Sequence, residues 1–187
     1  MRVSKEQMAV HRRHILDSAA KLFREQGFDA VTVADVMKAA GLTHGGFYRH
    51  FASKDALIAA AIGEAQAQAA AHPDFPAEDL PRYVAAYLSP EHRDQAGSGC
   101  PVAGMGPAAI RAGAEARQVM TDGLKRQIAR LSKSAPGKTA PEKRQAAIAA
   151  WGAMVGSLIL ARLSDDAALS DEILTATKHA LTGKKPA

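Results

Sequence analysis

The chain is poor in the features that most small proteins use as landmarks. Its 187 residues include one cysteine, Cys100, so no intrachain disulfide can form and a reducing compartment is expected. Aromatic residues are only 5% of the total, and no run of alternating β-branched residues marks a strand. There is no low-complexity tract and no internal repeat, which argues against disorder and against a solenoid. The N-terminus is polar and lacks an apolar signal core. The longest apolar stretch, "AAIAAWGAMVGSLILA" (146–161), reads as too short and too rich in Ala and Gly for a membrane span. A cytoplasmic protein without membrane contact is expected.

What is present is apolar surface and a mild positive charge. Apolar residues make up 47%, enough for a sizeable core. Lys and Arg number 24 against 19 Asp and Glu, giving +5 and a pI near 9.5, a balance that allows a polyanionic partner without requiring one. Residues 1–56 hold nine cations against six acids and four of the seven histidines, His11, His14, His44 and His50.

Catalytic constellations are missing. "HGGF" (44–47) is no phosphate-cradling loop, because no strand precedes it. His11 and His14 stand three apart on a helix face with no third metal ligand nearby, and an exposed basic face accounts for them. Asp165 and Asp166 read as a helix end. No enzyme, cofactor or metal is expected.

The periodicity is helical almost throughout, predicting an all-α fold of about nine helices. Ile15, Ala19, Leu22 and Phe23 share one face of a helix that begins near Ser4 and stops at Gly27, a left-handed cap. Thr32 and Asp35 form a capping box flanked by Val31 and Val36 as a hydrophobic staple. Gly41 ends that second helix after about two turns, and Thr43 offers the next N-cap. Ser53 caps a fourth helix that runs to His72-Pro73, with Asp55 complementing its dipole. Beyond it, helices are expected around 78–88, from Pro101 to about Met105, over 107–132, 141–163 and 171–181. "SPEHRDQAGSG" (89–99) and "KSAPGKTAP" (133–141) are the connecting loops, and "TGKKPA" (182–187) is a frayed tail. This divides the chain into a DNA-binding-type unit, 1–52, and a larger helical unit, 53–187, with 53–71 as the connecting helix.

The stretch "LTHGGFYRHF" (42–51) carries the functional signal. A short helix, a tight Gly41-Leu42 turn and a second short helix make a helix-turn-helix, whose second helix enters the DNA major groove. Phe47 and Phe51, at i and i+4, face inward onto Ile15, Phe23, Val36 and Leu42, and this packing offsets the helix propensity lost at Gly45 and Gly46. Glycine at 45 and 46 removes side chains that would hold the helix end away from bases and phosphates. Thr43, His44, Tyr48, Arg49 and His50 face outward with hydrogen-bonding groups, and Thr32 and Lys54 lie where flanking phosphates would be clamped.

From about residue 11 to 60 the sequence resembles the DNA-binding domain of TetR-family transcriptional regulators, through "ILDSAAKLFREQGFDAVTVADVMKAAGLTHGGFYRHFASKDAL" (15–57) and its closing "GxFYxHFxSKxxL" pattern. The resemblance implies an all-helical homodimer with a C-terminal domain that binds a small-molecule effector and dimerises through its last two long helices. It implies that Thr32, Thr43, Gly45, Tyr48, His50 and Lys54 approach a palindromic double-stranded operator and that Phe47 and Phe51 are structural. His44 and Arg49 fall among recognition-helix positions that vary within the family.

The rest of the chain matches that family by layout. Gly152 and Gly156 place two small residues four apart, and Ile148, Val155, Leu158, Ile159 and Leu163 add apolar surface; a dimer interface is expected over Ile148, Gly152, Val155, Gly156, Ile159 and Leu163. Tyr83, Tyr87, Met105, Met120, Trp151 and Met154 are the large, adaptable side chains expected to enclose an effector, itself apolar or aromatic. Cys100 precedes Pro101 at a predicted helix start, where amide dipoles can lower a thiol pKa; a redox or electrophile-sensing role is one reading of it, and a buried, inert packing cysteine is the other. The reading is a dimeric regulator, a repressor released by its effector; the alternative is a helical ligand- or partner-binding module without specific DNA recognition.

Overall fold

The computed structural model describes residues 4–183, and among them every regular element is helical. α1 spans Lys5–Ala30 and opens with the Ser4 hydroxyl accepting from the Gln7 amide at 3.1 Å. Its regular winding breaks at Gly27, where two helical segments meet at a kink. That residue adopts φ 80° and ψ 173°, a mirror-extended conformation rather than a left-handed helical cap, and the helix resumes beyond it. The kink turns Phe28 back into the core, where its ring meets Phe23 edge-on at 5.3 Å.

α2, Val33–Ala39, carries the capping box in both directions: the Thr32 hydroxyl accepts from the Asp35 amide, and the Asp35 carboxylate accepts from the Thr32 amide at 2.9 Å. Gly41, at φ 71°, turns the chain after it. A 3₁₀ helix, His44–Arg49, follows, then α3, Lys54–Ala71, capped by Ser53. α3 buries Leu57, Ile58, Ala61, Ile62 and Ala65 because it packs between α1 and the seventh α-helix.

The C-terminal elements are α4 (Leu80–Tyr87), α5 (Pro90–Asp94), α6 (Pro101–Ala109), α7 (Ala114–Leu131), α8 (Ala140–Leu163) and α9 (Ala167–Thr182). Three boundaries differ from expectation, each for a local reason. α5 lies inside the stretch read as a loop, because Ser89 caps the His92 amide and Pro90 is preset for a first helical position. The helix expected over 107–132 is broken: Pro107 ends up inside α6, and Gly113, extended at ψ 166°, caps a separate α7. α9 starts one turn early, since Asp166 accepts from both the Ala168 and Leu169 amides. The tail from 184 onward lies outside the described residues.

Two cores result. The first joins α1, α2, the 3₁₀ helix and α3 with Met105 and Ala109 of α6 and Ala116 and Met120 of α7. The second is built from α4, α8 and α9, with Leu131 and Cys100. α8, at 24 residues and a mean hydropathy of 1.7 over its most apolar window, is by length and composition long and apolar enough to cross a membrane; 146–161 alone underestimated it. Its buried face, including Trp151, Met154 and Leu158, packs in the second core.

Candidate nucleic-acid interface and cavity

The second element of the helix-turn-helix is a 3₁₀ helix, not the two-turn α-helix expected. Gly45 and Gly46 remove the propensity for a longer α-helix, and the chain closes instead with the Gly46 amide on the Thr43 carbonyl at 3.0 Å and the His50 amide on the Phe47 carbonyl at 2.8 Å. Thr43 is the N-cap residue, but its hydroxyl makes no capping bond. Tertiary packing holds the short element in place. Phe47 and Phe51 are buried and stack on each other at 5.8 Å. Arg12, on α1, adds a clamp that the sequence pattern did not single out: its guanidinium donates to the His50 carbonyl at 2.7 Å and lies 4.2 Å over the Phe51 ring.

What this leaves outward is polar. Thr32, Thr43, His44, Gly45, Tyr48 and Arg49 are exposed, while Gly46, His50 and Lys54 are half-buried. Tyr48 is 72% exposed, with its ring edge-on to Phe47 at 5.2 Å. A Cβ at Gly45 would meet nothing, and one at Gly46 would make ordinary contacts with the Met37 methyl at 3.6 Å and the Thr43 hydroxyl at 4.0 Å, so the protein's own packing demands glycine at neither position. Thr32 differs from the others because its hydroxyl is already committed to Asp35.

The electrostatics favour an anion. The ion pairs found among the described residues all lie beyond residue 71. Arg13, Lys21, Lys38, Arg49 and Lys54 therefore keep their charge unpaired on the first unit. His50 has its pKa lowered by partial burial and by His11, Arg12 and Arg49 around it, which favours the neutral ring.

The second region is a cavity of about 250 Å3 between the two units' helices. Tyr83, Tyr87 and Trp151 line it as expected side chains, together with Phe75, Arg24, Gln66, Arg126, Gln127, His92 and Cys100. Met105, Met120 and Met154 do not line it. They are buried within the two cores, Met105 and Met120 in the first and Met154 in the second, where flexible thioethers fill gaps between helices. The missed wall residues sit in α1, α3, α5, α7, the segment around Phe75 and the 95–100 loop, elements brought together only by folding.

One neutral imidazole organises that loop. His92 Nδ1 donates to the Tyr87 carbonyl at 2.7 Å, and Nε2 accepts from the Cys100 amide at 3.0 Å; the amide can only donate, which fixes the tautomer. Burial lowers the His92 pKa to about 4. Arg162, on α8, adds donors to the His92 and Arg93 carbonyls at 2.8 and 2.9 Å. Arg24, on α1 and almost fully buried, donates from Nε to the Gly97 carbonyl at 2.7 Å. Cys100 is 5% exposed, and burial raises its thiol pKa, against the lowering expected from its place at a helix start.

A third surface is apolar and uncovered. Of the interface residues expected on α8, Ile148, Gly152 and Leu163 are exposed and Val155, Gly156 and Ile159 are half-buried. Leu160 and Leu169 extend the patch at 55% and 46% exposure. A Cβ at Gly152 or Gly156 would meet nothing within 4 Å, so packing inside the chain does not explain either glycine.

Residues 15–61 match the family of bacterial regulatory proteins of the tetR type. Among curated relatives, a transcriptional repressor of Mycobacterium tuberculosis is 41% identical over 63 residues, 34% of each chain. A transcriptional regulator of Shigella flexneri is 40% identical over 30% of this chain and 26% of its own. The chain thus spans about a third or less of the length of these relatives. Solved structures extend the likeness of fold to nearly the whole molecule. The reduced form of E. coli NemR superposes with a TM-score of 0.72 at 21% identity, covering 95% of this chain and 98% of that one. A tetR-family regulator from Agrobacterium tumefaciens gives 0.69 at 18% identity, covering 92% and 98%.

Proposed function

We propose, from the match of residues 15–61 to the tetR family of bacterial regulatory proteins and from relatives that are named as transcription regulators, a cytoplasmic homodimeric repressor that leaves its operator when a small molecule fills the cavity. The observation that carries the reading is the outward face of the 3₁₀ helix. Thr43, His44, Tyr48 and Arg49 are exposed on an element anchored by buried phenylalanines, and Gly45 is small toward open space, which favours close approach by an external partner. In this reading Arg49 and His44 meet base edges, Tyr48, Thr43 and His50 meet backbone or bases, and Lys54 and the Thr32 cap meet flanking phosphates.

The uncovered face of α8, with Ile148, Gly152, Val155, Gly156, Ile159 and Leu163, pairs with the same face of a second copy. A dimer reads a palindrome whose half-sites stand about 34–36 Å apart or a multiple of that. Two contacts couple cavity to reader. α3 packs on both α1 and α7, and the Arg24 bond to Gly97 ties α1 to the loop that lines the cavity. A ligand that displaces this loop or α3 shifts α1 and changes the spacing of the two reading units. By linkage, operator DNA then weakens the ligand by the same factor.

The test is selection from a random double-stranded DNA library with the full chain at moderate salt. Enrichment of a palindrome at least about 10³-fold over nonspecific sequence is the expected result. A folded dimer that enriches nothing would refute specific recognition and leave a helical ligand-binding module in its place.

A further inference from the structure

The cavity wall has a donor surplus and an aromatic lining, and these two observations restrict what fits. Tyr83 and Tyr87 lie nearly parallel, 16° apart with centroids at 6.0 Å, and Trp151 stands edge-on to both at 6.3 and 5.3 Å. Phe75 closes on Tyr83 at 5.5 Å. Such a set offers faces and edges to a flat ring, in the offset and T-shaped geometries that aromatic pairs prefer.

Glutamine side chains on this wall satisfy part of its own donors, but two buried donors remain unpaired. The Trp151 Nε1 and the Tyr87 hydroxyl are buried and find no hydrogen-bond partner in the protein. The Tyr87 hydroxyl lies against the Cys100 thiol, a weak acceptor. The Tyr83 hydroxyl accepts from Gln127 Nε2 at 2.9 Å, which leaves its own proton to give. Burial raises both tyrosine pKa values, so these phenols stay protonated donors at neutral pH. Orphaned buried donors are costly, and a ligand that satisfies them recovers that cost on binding. The charges agree: Arg24 and Arg126 line the cavity and no Asp or Glu does. His92 contributes no charge and no free nitrogen, since both ring nitrogens are bonded within the loop.

We propose that this cavity takes a flat aromatic molecule bearing an oxygen acceptor, carboxylate or carbonyl, with Trp151, Tyr87 and Tyr83 as the donors that read it, and that it rejects aromatic cations. The proposal rests on the reading of the cavity as the effector site, but its test needs no DNA. Calorimetric titration of the full-length protein with benzoate and with acetophenone should give binding, with benzylammonium and cyclohexanecarboxylate weaker by about tenfold or more. Tyr87→Phe and Trp151→Phe keep a ring and remove a donor. Each variant should melt no lower than the parent, because an unpartnered polar atom has gone, and should bind benzoate about tenfold more weakly.

Benzylammonium binding as tightly as benzoate overturns the proposal, as does cyclohexanecarboxylate equal to benzoate. Folded variants with unchanged benzoate affinity overturn it too, and so does a Kd above about 10 mM for both aromatic acceptors. Operator release is then scored separately. A benzoate that binds in the calorimeter but leaves operator affinity unchanged refutes the regulatory reading and leaves the ligand class standing. Release by the ammonium compound refutes the class and leaves the regulation.

Discussion

The two cores of this molecule are built to different standards of completeness. Under the recognition element, Ile15, Phe23, Val36, Phe47 and Phe51 pack as a dry aliphatic and phenyl core, and among the described residues no buried side-chain polar atom there lacks a partner. The second core mixes tyrosines, tryptophan, a neutral histidine and a thiol around a cavity, and holds both of the unpartnered polar atoms. The difference fits the roles proposed for each. A reader of DNA has to hold a few outward side chains in fixed positions, which close packing achieves. A site for a small molecule must keep space and unspent hydrogen-bonding capacity, and both lower the stability of the empty protein.

The largest effect that would sharpen this contrast comes from the first core. Phe47→Ala removes a side chain that is 1% exposed and should cost about 3–5 kcal/mol, read by urea denaturation, with DNA binding lost along with the fold of the first unit. A loss under about 1 kcal/mol would mean that this core is as yielding as the second.

Next is the acid sensitivity of the second core. Burial holds His92 near pKa 4 in the folded chain, against 6.5 for an ordinary histidine. As pH falls the unfolded chain takes the proton first, so stability is full above about 6.5 and is lost between there and 4, by about 3 kcal/mol at most. Denaturation at pH 7 and pH 5 should show this slope, and His92→Gln should flatten it. An unchanged slope in the variant would remove His92 as its source.

Arg24→Leu probes the joint between the two regions. The Gly97 carbonyl would lose its side-chain donor, at about 1–3 kcal/mol, while the residues proposed to read DNA are untouched. Operator affinity should persist and ligand-induced release should shrink. Full release in the variant would assign the coupling to α3 alone.

The smallest effect on stability is expected at the outward face. Arg49→Ala and Lys54→Ala should leave the melting temperature within the scatter of surface substitutions. Arg49→Ala should cost about 1–3 kcal/mol in binding and relax preference at one base, while Lys54→Ala weakens all sequences alike and lowers the salt slope by about 1. Equal losses on every sequence from both would take base reading away from Arg49.

Local chemistry made the first unit legible. The Thr32–Asp35 box, the Ser53 cap, the Gly41 turn and the inward Phe47/Phe51 pair depend on residues within a few positions of one another, and all form as expected. The recognition element itself was legible in position but not in type, because two glycines leave the choice between α and 3₁₀ winding to the packing around them. Pro107 misled in the same way: a proline suits a helix start, yet here it sits within α6 and the break falls at Gly113.

The cavity was only partly readable. Tyr83, Tyr87 and Trp151 were identifiable as large side chains on helical faces, but nothing in their spacing separated them from Met105, Met120 and Met154, which fill the cores. Arg24 and Gly97 are 73 positions apart, and His92 reads as an ordinary loop residue until the Tyr87 carbonyl and Cys100 amide close on it. Most helices of the chain, the Thr32 and Ser53 caps and the polar face of the 3₁₀ element could be read in advance, because they rest on short-range periodicity and backbone hydrogen bonding. Only the tertiary structure decided which buried groups found partners, where space remained and which thiol and imidazole lost their usual acidity, because desolvation and pairing depend on neighbours that the chain brings from far away.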